Sequence, residues 1–310
     1  MRATVRRYWV QLALVGVAAV WGGTFVMVKD AVDRYPLYAF LALRFVIAVV
    51  ALVALFPRVL DRFGPGTVRV GTLAGAFLCA GYVFQTWGLQ GTTATKAAFI
   101  TGMFVVITPV MQAVILRRLP GWATAIGVMF AVTGLWLLSG AGGGAWNTGD
   151  TRVLLCAVAY SAHMIVLGSL GHDHDLGALT LVQLVVIALV CAGISLATEP
   201  LALPGDLSVW VALVVTGVLA SAVAFAVQTY AQRTIPPART ALILITEPAF
   251  GGLFGWLAGD ALGLRGLAGA LAILGGMVMA ELVALRTVPA EERVVLEPAL
   301  EGPSVPLVEE

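Results

Sequence analysis

Blocks of about twenty consecutive apolar residues recur along almost the whole of this 310-residue chain. A helix rising 1.5 Å per residue needs about 20 residues to cross a hydrocarbon core of roughly 30 Å, so the structural unit is the membrane span. Composition agrees: 60% of residues are hydrophobic, 11% are charged and the mean hydropathy is +0.97. Soluble domains average roughly 45–50% apolar and about 25% charged, which excludes a water-facing globule. A net charge of +1 provides no field to gather nucleic acid. The expected partners are the lipid bilayer and a small-molecule solute.

Apolar stretches read against their turn residues predict an all-α membrane protein of ten helices. They fall at 8–28, 37–56, 68–89, 97–116, 120–140, 151–170, 177–197, 207–231, 238–257 and 265–285. The first block follows Arg2, Arg6 and Arg7 as a secretion signal would, but it is too long for one and reads as a retained helix. Beyond Arg286, prolines and glutamates dominate, so 287–310 is expected to be a disordered cytoplasmic tail. With the N-terminus in the cytosol, twelve basic residues near span ends lie inside and five lie outside. The excess of arginine in cytoplasmic loops predicts an inner-membrane protein with both termini cytoplasmic. Cys79, Cys156 and Cys191 lie in apolar blocks without metal spacing and read as small buried hydrophobes.

The chain carries an internal repeat. Leu43-Arg44-Phe45-Val46-Ile47-Ala48 aligns with Val182-Gln183-Leu184-Val185-Val186-Ile187 at an offset of 139, which also sets Trp21 on Tyr160 and Thr108-Pro109 on Glu247-Pro248. Gln85-Thr86-Trp87 recurs as Gln228-Thr229-Tyr230 at an offset of 143, a difference of about one helical turn. Five spans per repeat force opposite senses of insertion, giving two inverted five-helix repeats, at 1–145 and 146–286, with a site expected where they meet.

Deep polar groups mark that site, because a charge at the bilayer centre costs about 2.5–3.5 kcal/mol on insertion scales. Glu247, expected mid-span before Pro248, is a candidate proton carrier or ammonium counterion, or else a protonated structural group. Pro248 and Pro109 are expected to kink their helices and free the carbonyls of Leu244 and Val105. Arg44 is a candidate for a gating ion pair or for a substrate carboxylate. His163 reads as an interhelical hydrogen bond or a proton relay. Trp21, Phe25, Tyr82, Phe99 and Tyr160, with Gln85 and Gln228, are the candidate walls of a substrate cavity. Lys29, Lys96 and Glu281 are expected to snorkel at span ends. Gly71, Gly75, Gly251, Gly255 and Gly259 form small-residue ridges for helix packing. The run His172-Asp173-His174-Asp175 makes a poor metal cage, and no metal or cofactor is expected.

Trp21-Gly22-Gly23-Thr24-Phe25 with Lys29, Leu43-Arg44-Phe45, Ala98-Phe99-Ile100-Thr101-Gly102 leading to Thr108-Pro109, and Glu247-Pro248 with Gly259-Asp260 and Gly269 resemble the EamA-type branch of the drug/metabolite transporter superfamily. The resemblance implies a ten-helix carrier with a central cavity, often an exporter of amino acids or related metabolites. Asp260, where the family often has Glu, and Arg117-Arg118 in the equivalent first-half turn are departures. No nucleophile with its base and no metal-binding helix motif points to an enzyme. The function expected is alternating-access export of an amino acid or amphipathic metabolite, with multidrug efflux or metabolite uptake as the alternative.

Overall fold

The computed structural model describes residues 2–115, 117, 122–139, 146–200, 202–232 and 243–287. Among them every regular element is helical. In chain order these are α1 (Arg2–Val32), α2 (Leu37–Leu55), α3 (Thr67–Leu89), α4 in two pieces (Ala94–Gly102 and Phe104–Ile115), α5 (Trp122–Ser139), α6 (Thr148–Leu170) and α7 (Leu176–Thr198). The rod α8 runs as Leu207–Val214, a π-helical segment Val215–Val223, and Ala224–Gln232; α9 (Glu247–Leu257) and α10 (Gly263–Thr287) follow. Seven helical stretches are long and apolar enough to span a bilayer, with shorter apolar helices at Ala125–Leu138 and Gly263–Met279.

The most extensive helix contacts obey one rule: replacing each helix by the one five places along returns another of these contacts. Thus α3 lies on α6 and α7, as α8 lies on α1 and α2; α1 packs on α9, as α6 packs on α4; α2 pairs with α7, α4 with α9 and α5 with α10. The fold is two five-helix repeats, inverted because five is odd.

The rule holds at single residues. A Cβ on Gly75 would lie 3.0–3.1 Å from Gln183 and Val186 of α7. A Cβ on Gly217 would lie 2.8–3.1 Å from Arg44 and Ile47 of α2, the residues 139 positions earlier. The absent side chains let both helix pairs approach closely. Since Gly217 is 142 after Gly75, the difference between offsets of 139 and 143 is not a single turn. Three residues accumulate before Gly217, and the fourth is taken up within the π segment.

Two prolines act differently from expectation. Pro109 stays inside the second piece of α4, and the helix breaks upstream at Met103. Pro248 sits in the first turn of α9, where a missing amide hydrogen is harmless, and the helix is interrupted at 245–246 just before it. Glu247 therefore starts α9 directly after a turn at 245–246 that follows the helical residues 243–244, and 238–242 of the expected helix lies outside the described residues. Gly259 is not a packing ridge either. It has φ +102° with open space around it and turns the chain after α9. The expected tail at 288–310, Arg118, and the side chain of Glu281 also lie outside the described residues.

At the end of the bundle carrying the α1–α2 loop, carboxylates of the second repeat hold elements of the first. Glu199 accepts the amides of Tyr38 and Ala39 at 2.9 and 2.8 Å, capping α2, whose own Pro36 offers no side-chain cap. Asp260 accepts the amide of Thr95 at 2.8 Å, capping α4. Asp150, closing a capping box with Asn147, accepts from Thr92 and Lys96. Arg34 bridges Asp30 and Asp206 at 2.6 and 2.9 Å. At the opposite end, Arg62 meets Asp175 at 3.2 Å and the Thr67 hydroxyl lies 3.0 Å from His174 Nδ1.

Candidate functional site

Mid-bundle, where α1, α2, α3, α6 and α8 converge, lie two aromatic pairs related by the repeat. Tyr82 and Tyr160 meet edge to face with centroids 5.7 Å apart, and Phe225 and Trp21 do the same at 6.2 Å. Trp21 and Tyr160 are 139 apart, whereas Tyr82 and Phe225 are 143 apart, the offset that also relates Gln85 to Gln228. Phe45 at 4.8 Å from Tyr82 and Phe104 at 6.4 Å from Tyr160 extend the tyrosine pair. Edge-to-face pairs each add about 0.5–1.5 kcal/mol beyond burial. The close approach of α3 and α6 depends on Gly81, where a Cβ would overlap the Tyr160 ring.

Arg44 lies against this cluster. It is only 4% exposed, its guanidinium carbon stands 4.8 Å from the Tyr82 centroid and 5.2 Å from that of Phe45, and its Nε has no hydrogen-bond partner. Among the described residues no carboxylate lies within ion-pairing distance of it, so the expected gating ion pair is not formed. The aromatic faces attract the cation and leave its N–H edge for another acceptor. Glu247, at the start of α9, lies against α1, where a Cβ on Gly22 would stand 2.9 Å from its carbonyl oxygen. The first repeat thus supplies a buried arginine and the second a glutamate. Their repeat-related positions, Gln183 and Thr108, are uncharged.

The other predicted residues divide. Gln85 is half-buried and donates to Thr101 Oγ1 at 3.3 Å, and Gln228 lies one turn beyond Phe225 on α8. His163 bonds Gln183 Oε1 at 2.6 Å, and Gln183 also donates to the Leu179 carbonyl, so His163 joins α6 to α7 as an interhelical contact. Phe25 and Phe99 are 4% exposed and fill the space over Gly251 and Gly252 of α9, which makes them packing residues rather than cavity walls. Lys29 reaches the Leu89 carbonyl at 2.9 Å at the end of α3. Lys96 does not snorkel: it is buried 3.5 Å from Asp150. Cys79 of α3 and Cys191 of α7 are free, buried thiols, as expected of small apolar residues. Among the described residues no group of His, Cys, Asp or Glu is arranged to hold a metal ion.

Phe225, Phe45 and Phe104 are site residues that the sequence reading passes over. Phe225 was within reach of it, lying at the offset already set by Gln85 and Gln228. Asp150 carried a signal too, three residues after Asn147 at a helix start.

An inverted pair of five-helix repeats packed around a deeply buried arginine is the architecture of a membrane transporter. The chain matches the EamA-like transporter family twice, over residues 8–140 and 147–282, and belongs to that family of the drug/metabolite transporter superfamily. It is similar to an uncharacterized transporter of Archaeoglobus fulgidus, 31% identical over 250 residues, covering 81% of this chain and 78% of that protein. It is also similar to the uncharacterized transporter YetK of Bacillus subtilis, 28% identical over 140 residues, 43% of this chain and 42% of the relative. A protein of known crystal structure shares the fold with a TM-score of 0.65 at 19% identity, over 90% of this chain and 99% of its own.

Proposed function

We propose that the protein carries a small zwitterionic or amphipathic solute, an amino acid or a metabolite of like size, out of the cell by alternating access between repeats 1–145 and 146–286. The observation that carries this reading is Arg44: a nine-tenths buried guanidinium, cradled by Tyr82 and Phe45, with no carboxylate partner among the described residues. A solute carboxylate completes it, Glu247 receives an ammonium group or a proton, and the rings of Trp21, Tyr82, Tyr160 and Phe225 stack an apolar body, with Gln85 and Gln228 beside them. Nucleotide sugars and sugar phosphates fit less well, because several cations are needed to offset their phosphates. The protein sits in the inner membrane with both termini cytoplasmic, following its arginine distribution.

Purified protein in liposomes, given a panel of amino acids and hydrophobic cations with and without a pH gradient, tests this. Saturable flux of an amino acid, lost in Arg44→Gln and with its pH dependence flattened in Glu247→Gln, is expected. Flux of hydrophobic cations alone, indifferent to Arg44→Gln, would replace this reading with multidrug efflux.

A further inference from the structure

The repeat leaves one residue over in α8, and the π segment houses it. Near the start of that segment Gly217 matches Gly75 at an offset of 142, with Gly75 on Gln183 and Val186 and Gly217 on Arg44 and Ile47. After it, Phe225 matches Tyr82 at 143, each making its repeat-related ring contact. The slip of one falls within Val215–Val223. A helix that absorbs one extra residue does so as a π bulge, keeping the downstream face in place. What it cannot keep is the carbonyl ladder. The Ala224 amide reaches back five residues to Leu219, and the next carbonyl, that of Ala220, receives the indole N–H of Trp21 at 2.7 Å. On the repeat-related seam no such tie is needed: α3 is regular through this stretch, and Tyr160 packs directly on Gly81.

We propose that Trp21 is a positioning residue of the transport site. Its indole N–H, tied to the Ala220 carbonyl that the π turn exposes, fixes the spacing of α1 and α8 and with it the placement of Phe225 and Gln228. The halves are therefore joined unequally at the site, by backbone-close packing on the α3–α6 side and, on the α1–α8 side, by a ring contact and a breakable hydrogen bond that both come from Trp21. Trp21 contributes its ring edge to Phe225 and its N–H to the backbone, so its polar group is not available to the solute while the tie holds.

The test has a structural arm and a kinetic arm, the second resting on the transport reading above. In a cysteine-free background, Gln228→Cys is labelled with a small water-soluble maleimide in unloaded protein. Trp21→Phe keeps the ring and removes the N–H. It should speed labelling at least threefold, because α8 is no longer held against α1. Deleting Leu219 from the π segment restores an α-helical register, withdraws the Ala220 carbonyl into the helix and should give a similar increase. The combined variant should go no further than either alone, since both cut the same bond. In liposomes Trp21→Phe should raise KM about two- to tenfold, the worth of one neutral hydrogen bond, with kcat within twofold. Unchanged labelling in Trp21→Phe, or additive effects in the combined variant, would overturn the proposal. Should the deletion variant fail to insert, Trp21→Phe labelling decides alone. Should no solute of the panel be carried, the labelling arm still decides, which separates this failure from that of the transport reading.

Discussion

Two cations of the first repeat are buried to nearly the same degree and live in opposite circumstances. Lys96, 6% exposed, stands 3.5 Å from the fully buried Asp150, which also accepts from Thr92 and from the Asn147 amide at 3.1 Å. Arg44, 4% exposed, has two aromatic rings and no carboxylate. A buried charge persists only when the rest of the molecule, or a ligand, offsets its desolvation. At Lys96 the offset is present in the protein and the charge ties α4 to α6. At Arg44 the described residues bring no carboxylate, and the proposed solute carboxylate takes that place.

The largest effect should come from breaking the complete pair. Lys96→Met leaves Asp150 as an uncompensated buried anion, and removing one partner of such a pair costs about 3–5 kcal/mol. Denaturant unfolding in micelles should show that loss. Lys96→Met with Asp150→Asn together should recover most of it, because the orphaned charge is gone. A Lys96→Met protein as stable as its parent would erase the contrast. Next in size is Arg44→Gln, which gives the first repeat the residue the second already has at Gln183. Losing a hydrogen bond to a charged group, about 1.5–3 kcal/mol, lowers kcat/KM roughly 10- to 150-fold at about 1.4 kcal/mol per decade. Its unfolding midpoint should stay level or rise. If stability falls instead and flux survives, Arg44 is a structural cation like Lys96.

Both cations were visible in the sequence, but which was paired was not. Hydropathy and turn residues locate spans because burial of about twenty apolar residues is a one-dimensional property; Leu37–Leu55 and Thr67–Leu89 fall within a residue of expectation. Partners are a three-dimensional property. Asp150 precedes the predicted sixth span at 151–170 and lies 54 positions from Lys96, so nothing local joins them. The start of α9 escaped for another reason: Pro248 favours both a kink and a first turn, and only the neighbours decide. The π segment was legible in retrospect, because offsets of 139 and 143 cannot both hold in uninterrupted helices of equal loop length.

His163 sharpens the comparison from the second repeat. Its bond to Gln183 fills the place that is empty beside Arg44. Interhelical bonds of this kind average about 0.6 kcal/mol in membrane proteins, so His163→Ala should shift the unfolding free energy by about that much and leave KM within twofold. A proton-relay role would instead appear as a lost pH dependence of flux with unchanged stability.

The smallest effect belongs to a third cation, Arg34, in which partners abound and burial is absent. It bridges Asp30 and Asp206 with side chains 49%, 50% and 45% exposed. The Asp206 carboxyl is held below its ordinary 3.8, first by the Ser208 amide and then by the Arg34 guanidinium. A depressed carboxylate contributes in full above its ordinary value and loses its contribution only as pH falls below it. Arg34 is in turn held above its ordinary value, chiefly by its hydrogen bond to Asp206. The bridge is therefore fully charged from pH 5 to pH 9 and should give no pH dependence of unfolding in that window. Water and salt already solvate both partners, so Arg34→Ala should leave the midpoint unmoved at physiological ionic strength. A loss in Arg34→Ala comparable to that in Lys96→Met would mean that pairing alone, and not pairing in the absence of water, decides which cations hold this fold together. Arg44 would then need its ligand for a reason other than desolvation.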